Sequence, residues 1–240
     1  MDIFYFAFIF LSFLPSLLWL IFFLREDKNP EPSKMIIKVF IMGMLITFPV
    51  IVIYLTINYF LLKLDISILV MKIIMAVFVA AIIEEISKYI VVKKTALESS
   101  ECDEPVDIMV YAITAALGFA ALENVIFLFP SLNLPFCYQG LATLSFFRFI
   151  SGTFLHALAS GVMGYFLAIS ILNTKKRKLF IFLGIFSAIF LHGLYNFIII
   201  VSEIENSVIM FIPLLLLLIL IIVLFFFKRL KKLPSICNPK

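Results

Sequence analysis

The chain has 240 residues, of which 64% are hydrophobic and 14% charged, with a formal net charge of +4 and a mean hydropathy of +1.20. Soluble domains carry about 45–50% apolar and about 25% charged residues, so a water-soluble globule is excluded. The basic residues lie beside apolar runs, where they orient membrane spans, and form no nucleic-acid-binding patch.

Seven apolar runs fill the length, and helix is the conformation expected for each, because lipid satisfies no open backbone group. The first, Ile3–Leu24, lacks a basic leader and a small-residue cleavage site and reads as a retained anchor. Asn29-Pro30-Glu31-Pro32 breaks the chain before the second, Met35–Leu62. The third, Ile66–Val92, carries Glu84, Glu85 and Lys88. The fourth, Val106–Phe129, is expected to be capped by Asp107 and contains Gly118, Ala121, Glu123 and Asn124. Pro130 and Pro135 bracket the connection that follows. The fifth, Gly140–Leu172, carries Arg148 and His156, and the sixth, Leu179–Val201, carries His192 and Asn196. The seventh is Val208–Phe227. No loop is long enough to fold alone, so residues 1–240 read as a single integral-membrane domain, an all-α polytopic bundle of about seven transmembrane helices.

Basic residues fix the expected sidedness. Arg25, Lys28, Lys34 and Lys38, then Lys93 and Lys94, then Lys175–Lys178, then Lys228–Lys232 fall on one side, and the alternate connections hold only Lys63. The positive-inside rule puts the amino terminus outside and the carboxy terminus in the cytoplasm. Cys102, Cys137 and Cys237 have no metal-ligand spacing, and only Cys137 faces outward on this topology, so no intrachain disulfide is expected there.

The intramembrane polar residues stand apart from this background. At roughly 2.5–3.5 kcal/mol per charge at the bilayer centre, Glu84, Glu85, Lys88, Glu123 and Arg148 together cost on the order of 12–17 kcal/mol. Glu84 and Glu85 lie four and three residues before Lys88, spacings that let side chains meet on a helix. One amine neutralises one acid and leaves the other for proton transfer or metal ligation. Glu123 matches Arg148 in depth and has two readings, a salt bridge to it or a metal ligand. His156 and His192 are the only histidines. Both lie in a repeated Phe-Leu-His-x-Leu string, Phe154–Leu158 and Phe190–Leu194, on spans of opposite direction that are able to aim two imidazoles at one point. Asn196 falls on the face of His192, placed to orient a ring or bind a carbonyl. Three carboxylates against two cations leave one negative charge, which a zinc ion carrying hydroxide would cancel, and two histidines, a carboxylate and water make an open tetrahedral zinc site. A count along the helices puts Glu84 about 12 Å from its inner helix end but His156, His192 and Glu123 roughly 20–25 Å from theirs, a mismatch that tilt or an extended third helix must absorb. No H-E-x-x-H occurs, no pair of aspartates lies within spans, and Ser151-Gly152 lacks the helix context of a rhomboid serine.

Taken in order, these residues resemble the PrsW family of intramembrane proteases, distant relatives of the CAAX-prenyl-endopeptidase and bacteriocin-immunity proteins. The motifs are Glu31-Pro32, Glu84-Glu85-x-x-Lys88, Asp107-x-x-x-Tyr111, Gly118-Phe119-x-x-x-Glu123-Asn124, Arg148 seven residues ahead of the residue preceding His156, and His192-Gly193-x-Tyr195-Asn196. The resemblance implies site-1-type cleavage of a membrane-anchored regulator such as an anti-sigma factor. It implies Glu84 or Glu85 as the group that activates water and Glu123, His156 and His192 as ligands of a Zn²⁺ ion. Lys88, Asn124, Arg148 and Asn196 then support the site. The expected partners are the lipid bilayer and a single-span protein substrate, in the plasma membrane of a prokaryote. The alternatives are a proton-coupled transporter using the same buried groups, or a silent scaffold binding other helices through Gly152, Ala157, Ala159, Ser160, Gly161 and Gly164.

Overall fold

The structure is a computed structural model and describes residues 2–27, 29–99, 101–129 and 137–235. Among the described residues ten α-helices follow one another: α1 (Asp2–Leu24), α2 (Ser33–Leu45), α3 (Thr47–Leu61), α4 (Ile68–Ile73), α5 (Ala81–Thr95), α6 (Pro105–Leu128), α7 (Cys137–Ile150), α8 (Gly152–Leu172), α9 (Arg177–Ser202) and α10 (Phe211–Leu230). A π-helical stretch, Ile74–Ala80, joins α4 to α5. No strand occurs among the described residues. The side chain of Cys137, together with Pro130, Pro135 and Cys237, lies outside them.

Two of the expected continuous spans are broken. The second bends at Ile46, where Pro49 removes an N–H and its ring would crowd the carbonyl of Leu45, so α2 ends there. The fifth breaks at Ser151, whose φ −130° and ψ −86° leave the helical region. By length and composition six stretches are able to cross a membrane: 5–24, 33–61, 105–128, 139–172, 174–202 and 206–230. The expected third span is not one of them. It forms α4, the π stretch and α5, three short pieces that together carry Lys72, Glu84, Glu85 and Lys88.

Helix α6 is the axis of the bundle, with 94% of its most apolar window buried. Its run of small residues allows this, because neighbouring backbones come into contact with it on several sides. A Cβ on Gly118 would lie 2.0 Å from the carbonyl oxygen of Phe40, and one on Gly43 would lie 2.1 Å from that of Ala115, so α2 and α6 cross at a mutual glycine contact. Asp107 does not precede α6 but sits in its first turn, after Pro105 at the first helical position. From there its Oδ2 accepts from the backbone N–H groups of Asp103 (2.9 Å) and Glu104 (2.6 Å). Helix α5 ends at Thr95, Ala96 is fully buried, and Leu97 and Cys102 of the next connection pack on the core, while Lys93 and Lys94 in its last turn are exposed.

Candidate active site

The site forms where α5, α6, α7, α8 and α9 meet. Glu84 and Glu85 are neighbours, so their side chains leave α5 about 100° apart and enter different surroundings. Glu85 is completely buried. Its Oε1 accepts from Lys88 Nζ (2.6 Å) and from His192 Nδ1 (2.9 Å), and Ser160 Oγ lies 3.5 Å from its Oε2. Glu84 borders a cavity, and its Oε2 is buried with no hydrogen-bond partner. Buried carboxylate oxygens are costly to leave unpaired, so this one points to an occupant or a task.

Each imidazole is held from behind by a carboxylate. His156 Nε2–H donates to Glu123 Oε2 (2.8 Å), and Glu123 pairs in turn with Arg148. Arg148 Nε donates to Asn124 Oδ1 (2.7 Å), whose Nδ2 reaches Thr153 Oγ1 and the carbonyl of Ser12, each at 3.1 Å. His192 Nδ1–H is held by Glu85. Each ring therefore keeps its proton on the far side and turns a lone pair toward Glu84. His156 Nδ1 lies 4.0 Å and His192 Nε2 3.9 Å from Glu84 Oε2, and the two rings stand nearly perpendicular with centroids 5.1 Å apart. Lys88 closes the floor. It is fully buried, lies 2.7 Å from His156 Nδ1 and 3.7 Å from Glu84 Oε2, and rests 4.7 Å above the Phe119 ring.

The ligand atoms of Glu84, His156 and His192 all lie within 4.8 Å of one another, the spacing of a metal-holding trio. Glu123 stands on the other side of the His156 ring, in the ion pair with Arg148 that the sequence offered as one of its two readings. The expected site residues thus come together, with Asn124 and Arg148 one layer behind His156.

Two features of this arrangement escape sequence reasoning. Asn196 Nδ2 donates to the carbonyl of Ala76 (2.7 Å) in the π stretch. One turn earlier, a Cβ on Gly193 would lie 2.7 Å from the carbonyl of Val77. The His-Gly-x-Tyr-Asn string is therefore a docking strip: the glycine lets α9 approach the π stretch, the asparagine ties it there, and His192 is carried into the site. The string itself was visible, but the Gly193 contact depends on a π register that no apolar periodicity reveals. The cavity, about 890 Å³, runs from Glu84, His156 and His192 past Tyr54, Met75 and Asn196 to a mouth beside the Lys72–Glu203 ion pair.

A cavity-lining carboxylate backed by two oriented imidazoles, inside a bundle of membrane-length helices, is the arrangement expected of an intramembrane hydrolase. Relatedness narrows that class. The chain belongs to the PrsW family, whose model, described as "PrsW family intramembrane metalloprotease", matches residues 31–226. It is 29% identical over 182 residues to a protein named Protease PrsW from Geobacillus kaustophilus (strain HTA426), covering 76% of this chain and 74% of the relative. It is 31% identical over 185 residues to the Protease PrsW of Oceanobacillus iheyensis, covering 77% and 79%. Over 206 residues it is 25% identical to the Protease PrsW of Clostridioides difficile (strain 630), covering 84% and 82%. No solved structure matches the chain. The chain is an integral membrane protein of a peptidase family.

Proposed function

We propose that the protein hydrolyses a peptide bond in a single-span membrane protein and that Glu84 is the carboxylate that activates water. The observation that carries this reading is Glu84 at the cavity wall, its buried Oε2 without a hydrogen-bond partner and about 4 Å from the inward-facing ring nitrogens of both histidines. Glu85 has its Oε1 engaged by both Lys88 and His192 and serves to orient them.

A substrate helix has to unwind in the cavity, since a helical carbonyl is already hydrogen-bonded. Glu84 takes a proton from water at Oε2 as the oxygen attacks the carbonyl carbon, and returns it to the departing nitrogen as the C–N bond breaks. Asn196 spends one N–H on Ala76 and keeps the other for negative charge developing on the carbonyl oxygen. The carboxylates behind the histidines fix their tautomers throughout.

The donor set also suits a divalent metal. In that second reading Glu84 would be a ligand and not the base: Glu84, with His156 through Nδ1 and His192 through Nε2, would hold the ion, a His₂Glu set of the kind that binds zinc. The orphaned oxygen and the free His192 nitrogen fit such an ion, whereas Lys88 has to withdraw from His156 Nδ1 onto Glu85 to admit it. When bound, the ion supplies a Lewis acid that polarises a carbonyl and makes water a stronger nucleophile at neutral pH. With the amino terminus outside, in the plasma membrane of a bacterium, the cavity mouth beside Lys72 and Glu203 would open on the outer side, which suits cleavage of an anti-sigma factor or similar anchored regulator.

The test is co-reconstitution in liposomes with a single-span anti-sigma factor. Glu84→Gln is expected to lower product formation about 10²–10⁴-fold, the range for losing a general base. Processing at the wild-type rate by membrane-inserted Glu84→Gln would rule out this assignment. Metal analysis of wild type and His192→Ala, before and after chelation, decides the metal separately: the wild type is expected to retain an ion that the variant loses.

A further inference from the structure

We propose that Trp19 of α1 is a positioning residue for His156, acting through the break between α7 and α8. Helix α1 precedes the region matched by the family model, which begins at residue 31, so nothing in that match assigns it a part in the site. It nevertheless touches the supporting layer at three points. Trp19 Nε1–H donates to the carbonyl of Phe149 (2.7 Å), two residues before the break at Ser151. Its indole stacks on Phe149 (centroids 5.1 Å apart, 21° between planes) and on Phe154 (3.9 Å, 9°), one ring from each side of the break. Seven and eight residues earlier α1 makes two more contacts, neither of which touches the break. Asn124 reaches the carbonyl of Ser12, and Ser145 Oγ donates to that of Leu11 (2.7 Å), a carbonyl left open because Pro15 has no N–H to offer it.

The geometry turns this clamp into control of the site. Arg148 immediately precedes Phe149, and its guanidinium holds Glu123 and Asn124. Glu123 in turn holds the Nε2–H of His156, which sets the ring so that Nδ1 faces Glu84. A helix break is a soft point of the backbone, and here one indole bridges it. The same residue fixes where Arg148 stands and thereby where the His156 ring points. His192 is held by a separate route, through Glu85 and the π stretch, and Trp19 has no part in it.

The inference rests on His156 being a working residue of the proposed peptidase, but its test requires no turnover, so the two readings fail separately. Because the chain has only two histidines, ¹⁵N-histidine labelling of the full-length protein in lipid nanodiscs, prepared with chelator, gives two imidazole spin systems. Each is assigned by its loss in the corresponding histidine variant. Trp19→Phe keeps most of the apolar volume and removes the N–H. It is expected to shift the His156 Nε2–H resonance while leaving that of His192 in place, and Arg148→Lys is expected to move the same signal. Ser145→Ala, which cuts another α1–α7 hydrogen bond away from the break, is expected to leave both resonances unchanged. Unmoved resonances in Trp19→Phe overturn the proposal. Equal movement of both histidines, or a Ser145→Ala response as large as that of Trp19→Phe, overturns it as well, by assigning the effect to general packing of α1.

Discussion

Glu84 and Glu85 are chemically identical neighbours with opposite surroundings, and the difference predicts opposite phenotypes. Glu85 is enclosed by Lys88 and His192 without exposure. Its change to glutamine leaves the Lys88 ammonium short of a buried counter-charge, and removing one partner of such a pair costs about 3–5 kcal/mol. Glu84 Oε2 has no hydrogen bond to lose, only the longer 3.7 Å approach of Lys88, so Glu84→Gln is expected to melt closer to wild type than Glu85→Gln while losing turnover. Thermal unfolding of both variants in detergent checks the contrast, and equal destabilisation would contradict it. The sequence placed both acids, Lys88 and both histidines in one set, because ionisable groups inside apolar runs are conspicuous. It did not separate the two acids, because that depends on the rotational phase of α5, which the π stretch ahead of it resets.

At the scale of elements, the junction between α9 and the π stretch is a tight seam that carries His192. Gly193→Ala would push its new methyl to 2.7 Å from the Val77 carbonyl, a backbone atom with little freedom to yield. The expected cost is about 1–3 kcal/mol, with the Asn196–Ala76 bond lengthened. A lower melting temperature together with a displaced His192 imidazole resonance is the readout. A second seam ties the connection before α2 to α6, where Tyr111 donates to Glu31. Burial raises the Glu31 carboxyl above its ordinary value, with Asp27 and Asp103 adding to the rise and hydrogen bonds from Tyr111 and Asp107 opposing it. A raised acid favours the fold while protonated, and its contribution fades as pH climbs from about the unfolded value of 4.5 through the folded one. Glu31→Gln is therefore expected to gain stability relative to wild type as pH rises from 5 to 8, measured by thermal unfolding. The chain breaks at Ile46 and Ser151 illustrate a further limit of reading from sequence. Hydropathy sees continuous apolar runs there, and only the proline at 49 hints at one of the two.

For the whole molecule, the membrane character and the order of the helices follow directly from composition and apolar run length. The convergence of side chains from five helices does not, since it depends on how rods of unequal length and tilt are seated around α6. The expected topology is open to a direct check: green fluorescent protein fused after residue 240 should fluoresce, and alkaline phosphatase fused ahead of residue 1 should be active. The reverse pattern would place the cavity mouth in the cytoplasm. One wall of that cavity differs from the rest. Helix α3 buries only Thr47 and Val50, both in its first turn, while Tyr54, Leu55 and Asn58 farther along it border the cavity. Beyond its anchored base this helix is flanked by the bilayer on one side and by the cavity on the other. Hydrolysis is thus expected to respond to acyl-chain length in the surrounding bilayer even where the chemistry around Glu84 is untouched.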